Sequence, residues 1–182
     1  TELNARIKQT EVFPGGDIEK IVKTLNKMAK SPKNKDYLDQ IYYALGNLYL
    51  SRQDTTNAIK NYILAAQKST REGIEKAISQ LTLGNIYFNQ RKYTKAQPCY
   101  AEAIPLIDET YPDYAQLVKR SEVLDELAIH AQNVELQDSL QQLAALPEPE
   151  RMKIIQQKID DLIAAEKRAE EEAKKEAYLA EQ

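Results

Sequence analysis

The sequence predicts an all-α protein, a solenoid of antiparallel helical hairpins followed by one long C-terminal helix. Three observations predict it. First, LGNLYLSRQDTTNAIKNYILAA at residues 45–66 returns as LGNIYFNQRKYTKAQPCYAEAI at residues 83–104. Gly46 and Gly84, Asn47 and Asn85, Tyr49 and Tyr87, Ala58 and Ala96, Tyr62 and Tyr100, and Ala65 and Ala103 all stand 38 residues apart. A match held in phase over that many columns marks stacked structural units. Second, the apolar residues of each copy recur at i, i+3, i+4 and i+7, the period of a helix buried on one side. Third, only 5 Gly and 7 Pro occur in 182 residues, and the rest is rich in Ala, Glu, Lys, Leu and Gln, which favour helix. A chain of this length can bury one ordinary core or a series of smaller ones between neighbouring repeats.

Residues 2–30 read as a degenerate hairpin. Its first helix, ELNARIKQTEVF, is cut short at PGG, and its second carries Ile18, Ile21, Val22, Leu25, Met28 and Ala29 on one face. In the repeat at residues 37–70, one helix presents Ile41, Leu45, Leu48 and Tyr49, and the next presents Ala58, Ile59, Tyr62, Ile63, Ala65 and Ala66. Between them SRQDTT supplies a turn, with Asp54 or Thr55 placed as an N-cap that accepts from a free backbone N–H. The repeat at residues 73–108 does the same around NQRKYT. Gly46 and Gly84 fall inside helices, where Gly costs roughly 1 kcal/mol relative to Ala, so the absent side chain must allow close approach of the partner helix. Ala58 and Ala96 serve that contact from the other side, and Tyr49, Tyr62, Tyr87 and Tyr100 fill the space around it with their hydroxyls at the wet edge.

Residues 113–146 read as a further helical pair, YPDYAQLVKRSEVLDELAIHAQ and VELQDSLQQLAAL. It lacks the Gly and Ala columns and so forms a repeat-like cap. Pro147 and Pro149 then break the chain and open a new helix, leaving residues 1–146 as one helical domain and residues 147–182 as the long C-terminal helix. In its first half Ile155, Ile159, Leu162 and Ile163 make an apolar face that should dock. From about residue 165 the sequence EKRAEEEAKKEAYLAEQ predicts a solvated rod, or one strand of a contact with another chain. Glu170 to Lys174 and Glu171 to Lys175 support it as i, i+4 pairs.

Composition excludes several function classes. The net charge of −3 lies entirely in residues 148–182, which hold ten acids and seven bases, and residues 1–147 balance at zero. A nucleic-acid binder would carry a basic surplus. The stripe Lys20, Lys23, Lys27 and Lys30, continuing to Lys33 and Lys35, reads as a solvated helix face. No apolar run reaches the roughly 18 residues that span a bilayer, so the chain itself is not expected to insert in a membrane. The sequence opens on Thr1 and not Met, which marks it as a processed or trimmed piece. Cys99, the single cysteine, can make neither an internal disulfide nor a four-ligand cysteine zinc site, and it reads as a small buried hydrophobe. His130 is the only histidine and has no catalytic or metal partner within a turn. Every glycine is accounted for without a phosphate loop or a nucleophile elbow. The sequence therefore points to a chain that is no enzyme and needs no metal or cofactor.

Leu, then Gly, then Tyr three residues on, Ala nine further, a large aromatic four later and Ala three after that is the pattern that both copies share, and it resembles the tetratricopeptide repeat (TPR). The family's period is about 34, and the four extra residues here fall at STREGIEK, where one hairpin hands over to the next. The resemblance implies a TPR-type α-solenoid acting as a protein-interaction scaffold, with a protein or peptide held in a concave groove lined by the first helix of each hairpin. By the family's register the groove positions are Gln40, Tyr43, Asn47, Leu50 and Ser51 in one repeat and Ile78, Leu81, Asn85, Phe88 and Asn89 in the next. Asn47 and Asn85 invite comparison with TPR domains that grip a C-terminal carboxylate. Those domains add lysines and an arginine, where this sequence has Tyr43, Ile78 and Thr82.

DYLDQIYYALGN and LQDSLQQLAALPE are more individual, and over residues 17–165 the chain resembles the SprE/PorW group of Bacteroidetes TPR lipoproteins, associated with gliding motility and type IX secretion. That resemblance implies an interior module of a larger, lipid-anchored parent on the periplasmic side of the outer membrane; the alternative is a cytoplasmic protein. A second role for the chain is structural, with the long C-terminal helix joining further domains or making a homo-oligomer.

Overall fold

A computed structural model describes residues 18–69 and 73–180, and all of its regular structure is helical. Seven α-helices follow one another among the described residues. They are α1 (Ile18–Ala29), α2 (Leu38–Ser51), α3 (Thr55–Lys68), α4 (Ile74–Asn89), α5 (Tyr93–Ala103), α6 (Tyr114–Ala145) and α7 (Glu148–Ala180). Short 3₁₀ turns occupy Pro32–Tyr37 and Ile104–Leu106. The expected helix over residues 2–12 and part of the handover at residues 70–72 lie outside the described residues. The chain divides into two compact units, Thr1–Gln132 and Asn133–Gln182, so the division falls within α6 and not at Pro147, where the sequence places it.

In the first unit α2 pairs with α3 and α4 with α5, as the repeat predicts. The turn inside each hairpin is built alike. Gln53 adopts φ 62° and Arg91 φ 58°, left-handed residues at equivalent columns 38 apart. The Gln53 N–H donates to the Leu50 carbonyl and the Asp54 N–H to that of Tyr49, while Arg91 donates to Phe88 and Lys92 to Tyr87. Paired bonds of this kind close a helix by satisfying its last carbonyls. Asp54 then begins α3, its carboxylate accepting from the Asn57 N–H at 3.1 Å, so the N-cap is Asp54. Lys92 begins α5 without any side-chain cap.

Three apolar clusters hold the unit together. Leu25 of α1 packs on Ile41, Ala44, Leu45 and Leu48 of α2. Ala58 and Tyr62 of α3 meet Leu83 of α4 and Cys99 of α5. Ala77 and Leu81 of α4, Ala96, Tyr100 and Ala103 of α5, and Leu117 and Leu124 of α6 form the third. The glycines do what their columns predict. A Cβ on Gly46 would stand 2.5 Å from the Tyr62 ring, and one on Gly84 2.8 Å from the Tyr100 ring. Both tyrosines are fully buried, so their hydroxyls meet Asn47 and Asn85 and not the wet edge that the sequence suggests.

Two expectations fail. Residues 113–146 are not a helical pair but the 32-residue helix α6. No Gly or Pro stands between HAQ and VELQ, and a lone Asn133 is too weak a breaker to end a helix in that setting. Along α7 the face that should dock stays open, with Ile159, Leu162 and Ile163 between 44% and 65% exposed. Lys174 pairs with Glu170 at 3.9 Å, as the charge pattern predicts.

Candidate functional site: the inner face of the hairpins

The first helices α2 and α4 pack against one another more extensively than the second helices α3 and α5 do. Closer spacing on one side bends a stack toward that side, so α2 and α4 line the inner face.

The predicted groove positions are not equivalent once folded. Leu50 and Ser51 are exposed at the end of α2 and Asn89 at the end of α4. Gln40, Tyr43, Asn47, Ile78, Asn85 and Phe88 are half-buried. Leu81, at 4% exposure, belongs to the core between α4, α5 and α6 and is not a groove residue. Its column is occupied in the preceding repeat by Tyr43, whose ring leans on Tyr62 at 5.4 Å between centroids. The larger, polar-tipped side chain stays at the surface where the leucine turns under α6.

Asn47 and Asn85 have structural work. The Tyr62 hydroxyl donates to Asn47 Oδ1 at 2.7 Å, and the Tyr100 hydroxyl donates to Asn85 Oδ1 at 2.6 Å. Each bond fastens the first helix of a hairpin to the second and satisfies a phenol whose ring is buried. Burial, together with the nearby Tyr43, raises the Tyr62 phenol well above its ordinary range.

Arg120, from the second turn of α6, completes the site, and no sequence argument had singled it out. Its Nη1 donates to Asn85 Oδ1 at 3.0 Å and to the Tyr100 hydroxyl oxygen at 3.1 Å. The guanidinium carbon lies 5.0 Å above the Phe88 ring and 5.9 Å from that of Tyr100, within cation–π range. Phe88 itself meets Tyr93 edge-on at 5.8 Å. The hydrogen-bond partners of Arg120 are neutral, and no carboxylate of the described residues pairs with it. Among the described residues its hydrogen-bond and ring contacts are thus all with neutral groups.

One signal could have found it. Extending the 38-residue step once more from Gln40, Tyr43, Asn47 and Leu50 gives Gln116, Lys119, Val123 and Glu126, with Arg120 in the column of Ala44 and Thr82. The first part of α6 is thus a third first helix in register, though the Gly and Ala columns are absent from it. A shallow concavity of about 770 Å³ opens there, lined by Tyr111, Gln116, Lys119 and Glu122 among others.

Other chemistry is sparse. Cys99 is buried, its thiol donates to the Lys95 carbonyl at 3.3 Å, and burial, reinforced by Glu102, pushes its pKa up to about 11. His130 stands exposed on α6. Among the described residues no three His, Cys, Asp or Glu side chains gather as metal ligands would, and no helix is long and apolar enough to cross a membrane.

Residues 39–67 and 77–106 each match the family model of the tetratricopeptide repeat. The two central hairpins are tetratricopeptide repeats. Both matched stretches begin near the start of a first helix and end near the close of a second, so each repeat is one hairpin, α2–α3 or α4–α5. The described residues are accordingly an all-α fold with two TPR hairpins at the centre of its first unit, and TPR hairpins are protein-interaction modules. No curated protein matches the chain.

Proposed function

We propose that the chain is a non-catalytic scaffold whose inner face receives a peptide or helical segment of a protein partner. The observation that carries this is Arg120, a cation held over Phe88 and against Asn85 with no ion pair to a carboxylate among the described residues. Along α2 and α4, Tyr43, Asn47, Leu50, Ile78 and Asn89 offer apolar surface alternating with amides, the mixture that holds a segment by a few anchors and fixes its direction by polar contacts. An acidic group on the partner, either a side chain or a C-terminal carboxylate, would meet Arg120. The resemblance of DYLDQIYYALGN and LQDSLQQLAALPE to the SprE/PorW group supports a setting in a cell-envelope secretion or motility assembly, on the periplasmic side of the outer membrane.

The test is selection of peptides from a displayed library against the immobilised chain, followed by titration of the selected peptides into Arg120→Gln and Phe88→Ala. Selected peptides should be enriched in acidic residues and lose about tenfold or more in affinity on Arg120→Gln, with the melting transition retained. Selected peptides that bind both variants as tightly as the parent would refute the groove.

A further inference from the structure

The open stripe on α7 fits a second copy of the same helix. Met152, Ile155, Ile159, Leu162, Ala169, Ala173 and Ala180 stand in one frame of alternating steps of three and four, with Glu166 and Glu176 in its two remaining places. Eight steps cover 28 residues, a mean of 3.5, which is the period of a two-stranded seam and not of a lone surface helix. Of its large members Met152 at 55%, Ile159 at 44% and Leu162 at 65% are exposed, and Ile155 is half-buried. The polar side is already occupied by contacts within the helix, from Gln156 to Asp160, Gln157 to Asp161 and Lys174 to Glu170.

Charge beside the seam selects the partner and its direction. One flank carries Arg151, Lys158, Ala165 and Glu172 at seven-residue steps, basic at the start and acidic at the end. A parallel second copy would set that flank against Gln156, Ile163, Glu170 and Ala177, with no opposite charges facing. An antiparallel copy sets Arg151 against Glu172 of the other helix, twice by symmetry. The same register brings Ile159 against Leu162 at the centre, Ile155 against Glu166 in the adjoining layers and Met152 against Ala169 toward the ends. We infer that α7 is a self-association surface that pairs two copies of this chain as an antiparallel coiled coil centred between Ile159 and Leu162. Pairing by this seam is independent of what the groove holds, and it would present two repeat units in one assembly, so that a partner with two binding segments would gain avidity.

Sedimentation equilibrium of the full chain at tens of micromolar should give a dimer, and the double variant Ile159→Glu, Leu162→Glu should give a monomer. Both positions are exposed, so the variant should keep its helicity and the melting of its repeats. Orientation is read from a spin label at Lys174→Cys in a Cys99→Ala background. With a rise of 1.5 Å per residue, labels in the antiparallel pair should lie about 40 Å apart, and in a parallel pair about 10 Å apart. A monomeric parent would overturn the inference and leave the stripe to a helix of another protein. A dimer that survives the double variant, or a short label distance, would overturn it equally.

Discussion

In hairpin α2–α3 the Tyr62 hydroxyl donates to Asn47, and the bond ends there. In α4–α5 the equivalent Tyr100 donates to Asn85, and Arg120 of the next helix reaches both. The packing columns are the same, yet one hairpin presents a neutral inner face and the other a cation on an aromatic ring. In this fold the repeated residues build the stack, and chemistry enters through what a neighbouring helix adds to it.

The sharpest way to break the comparison is to remove the tyrosines. Tyr62→Ala and Tyr100→Ala should each cost about 3–5 kcal/mol in urea unfolding, as large aromatic truncations in cores do. Tyr100→Ala should cost more, because Arg120 also loses an acceptor and a ring. Equal costs would mean that Arg120 adds nothing to the second hairpin.

Alkaline pH separates the hairpins next, because Cys99 in the second replaces Asn61 at the same column of the first. The thiol rises from 9.0 to about 11 on folding, so the unfolded chain releases this proton first as pH increases. Stability should be constant below pH 9 and fall by about 2 kcal/mol between pH 9 and 11, by the linkage between pKa and stability. The Tyr62 phenol, raised in the same direction, adds to the decline. Cys99→Ala should flatten part of the fall in a pH series of urea melts.

Glycine gives a smaller contrast. At Gly46 an added methyl would meet three Tyr62 ring atoms within 2.9 Å, and that ring is held by Asn47 and Tyr43. At Gly84 the nearest contacts are 2.8, 3.0 and 3.3 Å. Overpacking of about 2–3 kcal/mol against a helix-propensity gain of about 1 makes Gly46→Ala a net loss, with Gly84→Ala the milder of the two. Thermal melts of the pair would show the order, and a reversed order would contradict the packing account.

The caps give the smallest effect. Asp54→Ala should lower the melting transition slightly, and Lys92→Asp should raise it by supplying the N-cap that α5 lacks. Hydrogen bonding from Asn57 holds the Asp54 carboxyl below its ordinary range, so its contribution is present at neutral pH and is lost as pH falls through the acid range.

The hairpins, their turns and the roles of Gly46 and Gly84 were legible in the sequence because two in-phase copies make every packing column visible twice. Leu81 was misplaced because register assigns a column to a face, whereas burial depends on what the next helix covers, and Leu117 and Leu124 of α6 cover that end of α4. Arg120 was missed for a related reason. Without Gly and Ala columns, α6 gave no reason to carry the register forward, though position by position it continues the first-helix face. The break expected within residues 113–146 failed because repeat logic asked for a hairpin where the local sequence had no turn residue to make one.

The central claim, that partner recognition belongs to the inner face and the repeated columns serve packing, is tested most directly by hydrogen–deuterium exchange of the full chain with and without a selected peptide. Slowed exchange should map to α2, α4 and the start of α6 around Arg120. Protection confined to α3, α5 or residues 148–180 would contradict it.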